Sequence, residues 1–216
     1  MDEFVLTFDR GCSPSAQRFP ITKGGYASGL RHLAEAYGKD HRLVKEDDAI
    51  APKVLAKLIA DGARCALKYA VVREDPTHDR YLDEILSLVD RSVVISGIGE
   101  RPVIEHWTHF GLRAFTWGSV CVAPSLLNAI RLALGRDDVA EAKRLREALL
   151  PLEDLRDAHS PIRILHEAVR LAGIADTGPL LPMLENITNL KVLGEVQQAA
   201  SRLFEANAQA MLVAVK

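Results

Sequence analysis

Apolar residues along the chain alternate between short continuous runs and segments with helical spacing. The runs are rich in aliphatic and β-branched residues and predict parallel strands near residues 4–8, 41–45, 63–71, 92–97 and 112–117. Between them, the spacing predicts helices at residues 28–37, from Pro52, at 79–88 and at 99–109. Strands separated by single helices imply a parallel sheet with right-handed crossovers, so the first part of the chain is predicted to be an α/β domain.

After the last predicted strand the pattern is helical throughout. Helices are predicted at residues 124–134, 139–149, 161–172 and 193–213, with Pro151 ending the second of these. We therefore expect an α/β domain over residues 1–134 and a C-terminal helical extension over residues 135–216.

The strand predicted at residues 63–71 contains one lysine, Lys68, in an otherwise apolar setting. Alternation along a strand puts Lys68 on the same face as Ala66 and Ala70, and puts Tyr69 on the opposite face. Burying an ammonium group costs roughly several kcal/mol unless the group is paired with an anion or loses its proton. Two interpretations remain open at this point: a lysine whose amine reaches solvent or a carboxylate, and a neutral amine that adds to a carbonyl to form a Schiff base.

Composition and charge exclude several classes of protein. The formal net charge of −2 gives no bulk attraction to nucleic acid or to an anionic membrane. The three cysteines are scattered and form no CxxC pair, which argues for a reducing compartment without a disulfide framework or zinc site. With an acidic start and no apolar run of membrane-spanning length, the chain is predicted to be cytoplasmic, with no membrane or nucleic-acid partner.

Other candidate residues have ordinary structural explanations beside the functional ones. His106 and His109 are three apart, but no third ligand is near in sequence, so we predict no metal site. Gly97 and Gly99 precede a helix without the third glycine of a dinucleotide motif, although the exposed amides there suit a carboxylate. Glu100 and the arginine after it are expected to cap that helix and to pair on the surface, and no cofactor is predicted.

Several segments together resemble the dihydrodipicolinate synthase / N-acetylneuraminate lyase family. The barrel part of the resemblance lies at 67–70 (LKYA), 94–100 (VISGIGE) and 111–118 (GLRAFTWG). The tail is similar too: the matching segments are 151–156 (PLEDLR), 161–168 (PIRILHEA), 171–174 (LAGI) and 179–182 (PLLP). The order is collinear over about residues 24 to 205.

This resemblance implies a fold and a chemistry. The fold is α/β: a partial TIM (β/α)8 barrel of about five parallel strands with a C-terminal helical extension. By resemblance, Lys68 is the catalytic lysine that forms a Schiff base with a 2-oxo acid such as pyruvate, and Gly97 borders the substrate. We include Ser96 and Lys45 as further predicted substrate-binding residues. Each residue also has an ordinary structural explanation. Ser96 can belong to a turn at the end of the strand, and Lys45 can form an exposed ion pair with neighbouring acids.

The sequence also departs from the family pattern. The first predicted strand corresponds to the family's fourth, so the family's first three βα units and its carboxylate-binding Gly-Thr-Thr-Gly-Glu-like loop have no counterpart here. Leu43 stands where the family usually has a proton-relaying tyrosine. Tyr69 is expected to point away from Lys68, so it is an unsuitable substitute.

Two classes of function follow. The first is a Schiff-base-forming lyase of the class I aldolase type, acting on pyruvate or another 2-oxo acid. The second is a truncated, catalytically impaired family member that serves as a non-catalytic or structural partner protein. We also expect a homo-oligomer or an aggregation-prone monomer, with Leu203, Met211 and Leu212 as possible contacts.

Overall fold

The fold is taken from a computed structural model, which describes residues 50–97, 100–180 and 184–214. The strands predicted at 4–8 and 41–45, the helix predicted at 28–37, and the residues Leu43 and Lys45 lie outside these ranges. By their contacts, the described residues divide into two compact units: residues 50–97 with 109–114, and residues 100–108 with 115–180 and 184–214.

The described elements alternate between helix and strand and then become helical. The three strands are β1 (Leu67–Tyr69), β2 (Val94–Ser96) and β3 (Ala114–Phe115). The helices are α1 (Pro52–Ala60), α2 (Arg80–Leu88), α3 (Val103–Thr108), α4 (Pro124–Gly135), α5 (Val139–Arg146), α6 (Leu150–Ala158), α7 (Pro161–Leu171) and α8 (Leu190–Ala214).

The described strands form one parallel sheet in the order β1-β2-β3. This confirms the predicted order for the three strands that can be compared. Each is shorter than its apolar run, and the residues before β2 form a 3-10 turn, Arg91–Val93, with Asp90 as its cap. Apolar runs bounded by turn residues thus located the strands but overestimated their lengths.

The first unit packs its helices through regularly spaced apolar side chains. Helix α1 begins at Pro52, whose fixed φ suits the first helical position, and it buries Leu55 and Leu58. Helix α2 buries Leu82 and Ile85. Each such side chain contributes about 1.5–3 kcal/mol by leaving water. Other buried apolar residues of this unit are Leu67, Tyr69, Val94, Phe110 and Leu112.

The second unit is built on helix packing around one apolar cluster. Helix α8 presents a stripe at helical spacing to this cluster: Val192, Val196, Ala199, Ala200 and Leu203. Leu203 has no exposed surface, so the suggestion that it lies at an oligomer contact was wrong. Asn207, one turn further along α8, accepts hydrogen bonds from the amides of Ser125 and Leu126 and so caps α4.

Pro151 does not end a helix, as the sequence suggested, but lies in the first turn of the next one. Helix α5 ends at Arg146, and α6 starts at Leu150. A proline lacks an amide hydrogen that the first turn would leave unused, so it is tolerated there. None of the helices within the described ranges has both the length and the apolar composition needed to cross a bilayer.

Candidate functional site

The candidate site in the first unit is built on the register between β1 and β2. Lys68 pairs with Ile95, and Tyr69 pairs with Ser96. Since paired residues of parallel strands project from the same face, Lys68 and Ile95 share one face while Tyr69 and Ser96 share the other. The Lys68 face is half-buried and the Tyr69 face is buried. Alternation along the strand had predicted this separation of Lys68 from Tyr69.

The side chain of Lys68 lies directly against Gly97, the residue that follows β2. A Cβ atom at Gly97 would come 2.7 Å from both Cε and Cγ of Lys68, and 3.0 Å from the carbonyl oxygen of Tyr69. The Gly97 amide donates to that same carbonyl, with an N–O distance of 2.6 Å. Gly97 therefore lacks a side chain because the lysine stem and the backbone of β1 occupy the space that one would need.

The amine of Lys68 forms no ion pair with any residue in the described part of the chain. The residues two positions away on either side, Ala66 and Ala70, are small and, like Lys68, half-buried. A compact amine on a flexible stem is the lysine property that Schiff-base chemistry uses. Lys68 is therefore a candidate for that chemistry.

The other predicted site residues are placed differently. Ser96 is 1% exposed and lies on the buried face, opposite Lys68. The structure therefore brings Gly97 to Lys68 but does not bring the Ser96 side chain there. Lys45 lies outside the described residues.

Tyr69 anchors the opposite face through a buried polar network that the sequence did not reveal. Its hydroxyl donates to Asp79, which is 1% exposed. Asp79 also accepts the Leu82 amide at 3.1 Å as the N-cap of α2, and its Oδ2 lies 3.1 Å from Nε of Arg73. Burial first, and then the hydrogen bond and charge of Asp79, raise the pKa of Tyr69 far above its ordinary value. A phenol that holds its proton so tightly is unsuited to proton relay.

A second buried polar cluster lies in the second unit, around the 3-10 turn Gly118–Cys121. Glu100 has no exposed surface and accepts the Ser119 amide at 2.7 Å. Arg156 donates to Glu153 and, at 3.2 Å, to Glu100. The expectation that Glu100 lies at the surface was therefore wrong. No residue near Glu100 in sequence signals its burial, since its partner Arg156 is more than fifty positions away.

The residue after Glu100 behaves as the sequence suggested. Arg101 forms surface ion pairs with Asp154 and Asp157, both of them exposed residues of α6. Helix α6 thus turns Glu153 and Arg156 inward and these two aspartates outward.

The two histidines considered as metal ligands, His106 and His109, differ in their exposure. His106 is 2% exposed, and His109 is exposed at the surface. Among the residues that the structure describes, no group of three or more His, Cys, Asp or Glu side chains is arranged to hold a metal ion.

Two solved structures are similar to this chain. One is dihydrodipicolinate synthase from Bacillus clausii, with a TM-score of 0.60 and 23% identity, covering 87% of this chain and 63% of that one. The other is dihydrodipicolinate synthase from Oceanobacillus iheyensis, with a TM-score of 0.58 and 22% identity, covering 84% of this chain and 60% of that one. No protein-family model and no curated protein sequence matches the chain.

At these identities the likeness concerns the fold. This chain spans less than two thirds of the length of either solved structure. The resemblance that the sequence motifs predicted is confirmed at this level. Over most of its own length, the chain shares the fold of part of dihydrodipicolinate synthase.

Proposed function

We propose that this protein is a Schiff-base-forming lyase of the class I aldolase type that acts on pyruvate or another 2-oxo acid through Lys68. The observation that carries the proposal is the contact between the Lys68 side chain and Gly97. The motifs that resemble the family contain both residues, at 67–70 and 94–100. The likeness to dihydrodipicolinate synthase structures supports the same assignment at the level of the fold.

The proposed architecture follows from the same likeness. The strands β1, β2 and β3 are the described part of a partial (β/α)8 barrel, and residues 135–216 are its helical extension. In barrels of this kind the chemistry collects at the carboxyl ends of the strands. Gly97 directly follows the carboxyl end of β2, which fits that placement.

The proposed chemistry begins with the neutral amine of Lys68. Its nitrogen adds to the C2 carbonyl carbon of the 2-oxo acid, and the carbonyl oxygen leaves as water after it has taken up two protons. The resulting protonated imine withdraws electrons from the neighbouring carbon. A C–C or C–O bond there can then break or form, with the imine nitrogen holding the electron pair.

The surrounding residues have proposed roles of differing kinds. Gly97 leaves room for the stem of Lys68 and so helps to position its amine. Ser96 contributes through its backbone, since its side chain lies on the other face. Lys45 remains a proposed partner for the substrate carboxylate. Leu43 occupies the position of the family's proton-relaying tyrosine, so we expect turnover to be slow, because acid–base assistance is typically worth about 10²–10⁴-fold.

The proposal is tested by incubating the full chain with pyruvate and sodium borohydride and measuring the mass of the intact protein. Reduction of one imine fixes a single pyruvate on the protein and abolishes further reaction. An unchanged mass at millimolar pyruvate would contradict the proposal and would favour a non-catalytic role.

A further inference from the structure

The buried cluster in the second unit contains two carboxyl groups and one guanidinium group. Glu100 is fully buried, Glu153 is 3% exposed, and the side chain of Arg156 is 15% exposed. If both acids were ionised, the cluster would carry a net charge of −1 away from water. Two like charges in such a place favour retention of a proton, which neutralises one of them.

The two acids share one hydrogen-bond donor. A single nitrogen of Arg156, Nη1, donates to Oε1 of Glu153 and to Oε2 of Glu100. One donor atom thus serves both carboxyl groups, so its positive charge compensates only one of them. Burial, and then repulsion from Glu100, raise the pKa of Glu153 to about 7, although Arg156 opposes the rise.

The same cluster holds the 3-10 turn Gly118–Cys121 from several sides. The Ser119 amide donates to Glu100 at 2.7 Å, and the Ser119 hydroxyl donates to Glu153 at 3.1 Å. The guanidinium plane of Arg156 lies over Gly118, where an added Cβ would come 2.6 Å from Cζ. The turn is therefore held by hydrogen bonds to both buried acids.

We propose that Glu100, Glu153 and Arg156 form a proton-controlled clasp, which holds the turn Gly118–Cys121 against helix α6 while Glu153 is protonated and loosens when that proton is lost to solvent. This inference is independent of the proposed lyase activity, because it concerns packing within the second unit. The charged groups that act on Glu153 are Glu100 and Arg156. Cys121 lies at the end of the turn. Burial raises the pKa of its thiol, and the charges of Arg156 and Glu100 also act on it.

The test is hydrogen exchange of the backbone amides of the turn, above all that of Ser119, measured at about pH 5 and about pH 8 and corrected for intrinsic exchange. Linkage predicts that the opening of the turn increases about tenfold or more over this range in the wild type. In Glu153→Gln the pair can carry only one negative charge, so the pH dependence should largely disappear. Asp154→Asn is the matched control: it neutralises an exposed carboxylate one residue away and should behave as the wild type does.

A second measurement tests the proposal even if Glu153→Gln fails to fold. In wild-type protein with ¹³C-labelled glutamate, one carboxyl signal should titrate near neutrality, and Glu100→Gln should remove that late titration if Glu153→Gln cannot be studied. Two results would overturn the proposal. One is exchange of the turn that stays independent of pH in the wild type, and the other is the absence of any glutamate titrating near neutrality.

Discussion

The stem of Lys68 on β1 lies beside Gly97, which follows β2, the neighbouring parallel strand. The space that a side chain at Gly97 would need is taken by the stem of the lysine, with Cε and Cγ both 2.7 Å from the place of a Cβ atom. The glycine therefore determines where the amine can lie. This contact links the parallel register of the sheet to the proposed chemistry.

Replacing Gly97 with alanine should reduce the rate of imine formation by about tenfold or more. A reacting group that is displaced by about 1 Å can react about 10²-fold more slowly. The added methyl group must push the Lys68 stem aside, since its other neighbour is the backbone carbonyl of Tyr69. The rate of borohydride-trapped adduct formation with pyruvate measures this. Gly194→Ala is the control, because nothing lies within 4 Å of a Cβ there and the helix should only gain stability. Equal trapping rates in the two variants would show that Gly97 does not position the lysine.

Replacing Asp79 with alanine should lower the free energy of unfolding by about 2–4 kcal/mol. The change removes the cap of α2 and leaves the buried hydroxyl of Tyr69 and the guanidinium of Arg73 without this acceptor. Urea unfolding measures the loss. Asp83→Ala removes an exposed carboxylate in the first turn of the same helix and should cost much less. A similar loss in both variants would contradict the importance of the buried network.

The ionisation of Tyr81 should lower the free energy of unfolding at alkaline pH. Burial, and then the charge of Asp79, raise the pKa of Tyr81 from 10.0 to about 12. The folded protein therefore retains a proton that the unfolded chain releases, so unfolding becomes easier as pH rises from about 10 towards about 12. Urea unfolding across this range should show a weaker decline for Tyr81→Phe than for the wild type. Identical pH profiles would contradict the raised pKa.

The protein is expected to associate through the end of α8. Phe204, Met211 and Leu212 are 42%, 54% and 67% exposed, and apolar side chains clustered on one element commonly mark a contact. The double variant Met211→Lys, Leu212→Lys should have a lower mass by light scattering at a protein concentration of roughly tens of micromolar. Gln197→Lys, at an exposed position on the same helix, should leave that mass unchanged. A wild-type monomer that stays soluble at this concentration would contradict the prediction.

The sequence was sufficient to predict that Lys68 and Gly97 lie on neighbouring strands, but not that the Ser96 side chain lies on the opposite face. Strands separated by single helices lie next to each other in a parallel sheet, so the strand with Lys68 had to neighbour the strand that ends at Gly97. Period-two alternation then placed Tyr69 on the other face, as the register with Ser96 shows. These rules are local, and they act over a single βα unit.

The buried charges could not be predicted in the same way. Glu100, Ser119 and Arg156 come together only through the packing of the second unit, and no spacing in the sequence marks them as partners. The one local signal is on α6, where Glu153 and Arg156 are three apart and lie beside the buried Leu152. Charged residues at helical spacing more often indicate a solvated face, so this spacing by itself does not predict a buried cluster.

The most direct test of the account is the identity of the lysine that reacts with pyruvate. After borohydride reduction, peptide mapping should find the adduct on Lys68, and the adduct should be lost in Lys68→Ala. It should persist in Lys57→Ala, which removes an exposed lysine that is paired with Asp61. An adduct on a different lysine, or none at millimolar pyruvate, would contradict the assignment of Lys68 as the Schiff-base residue.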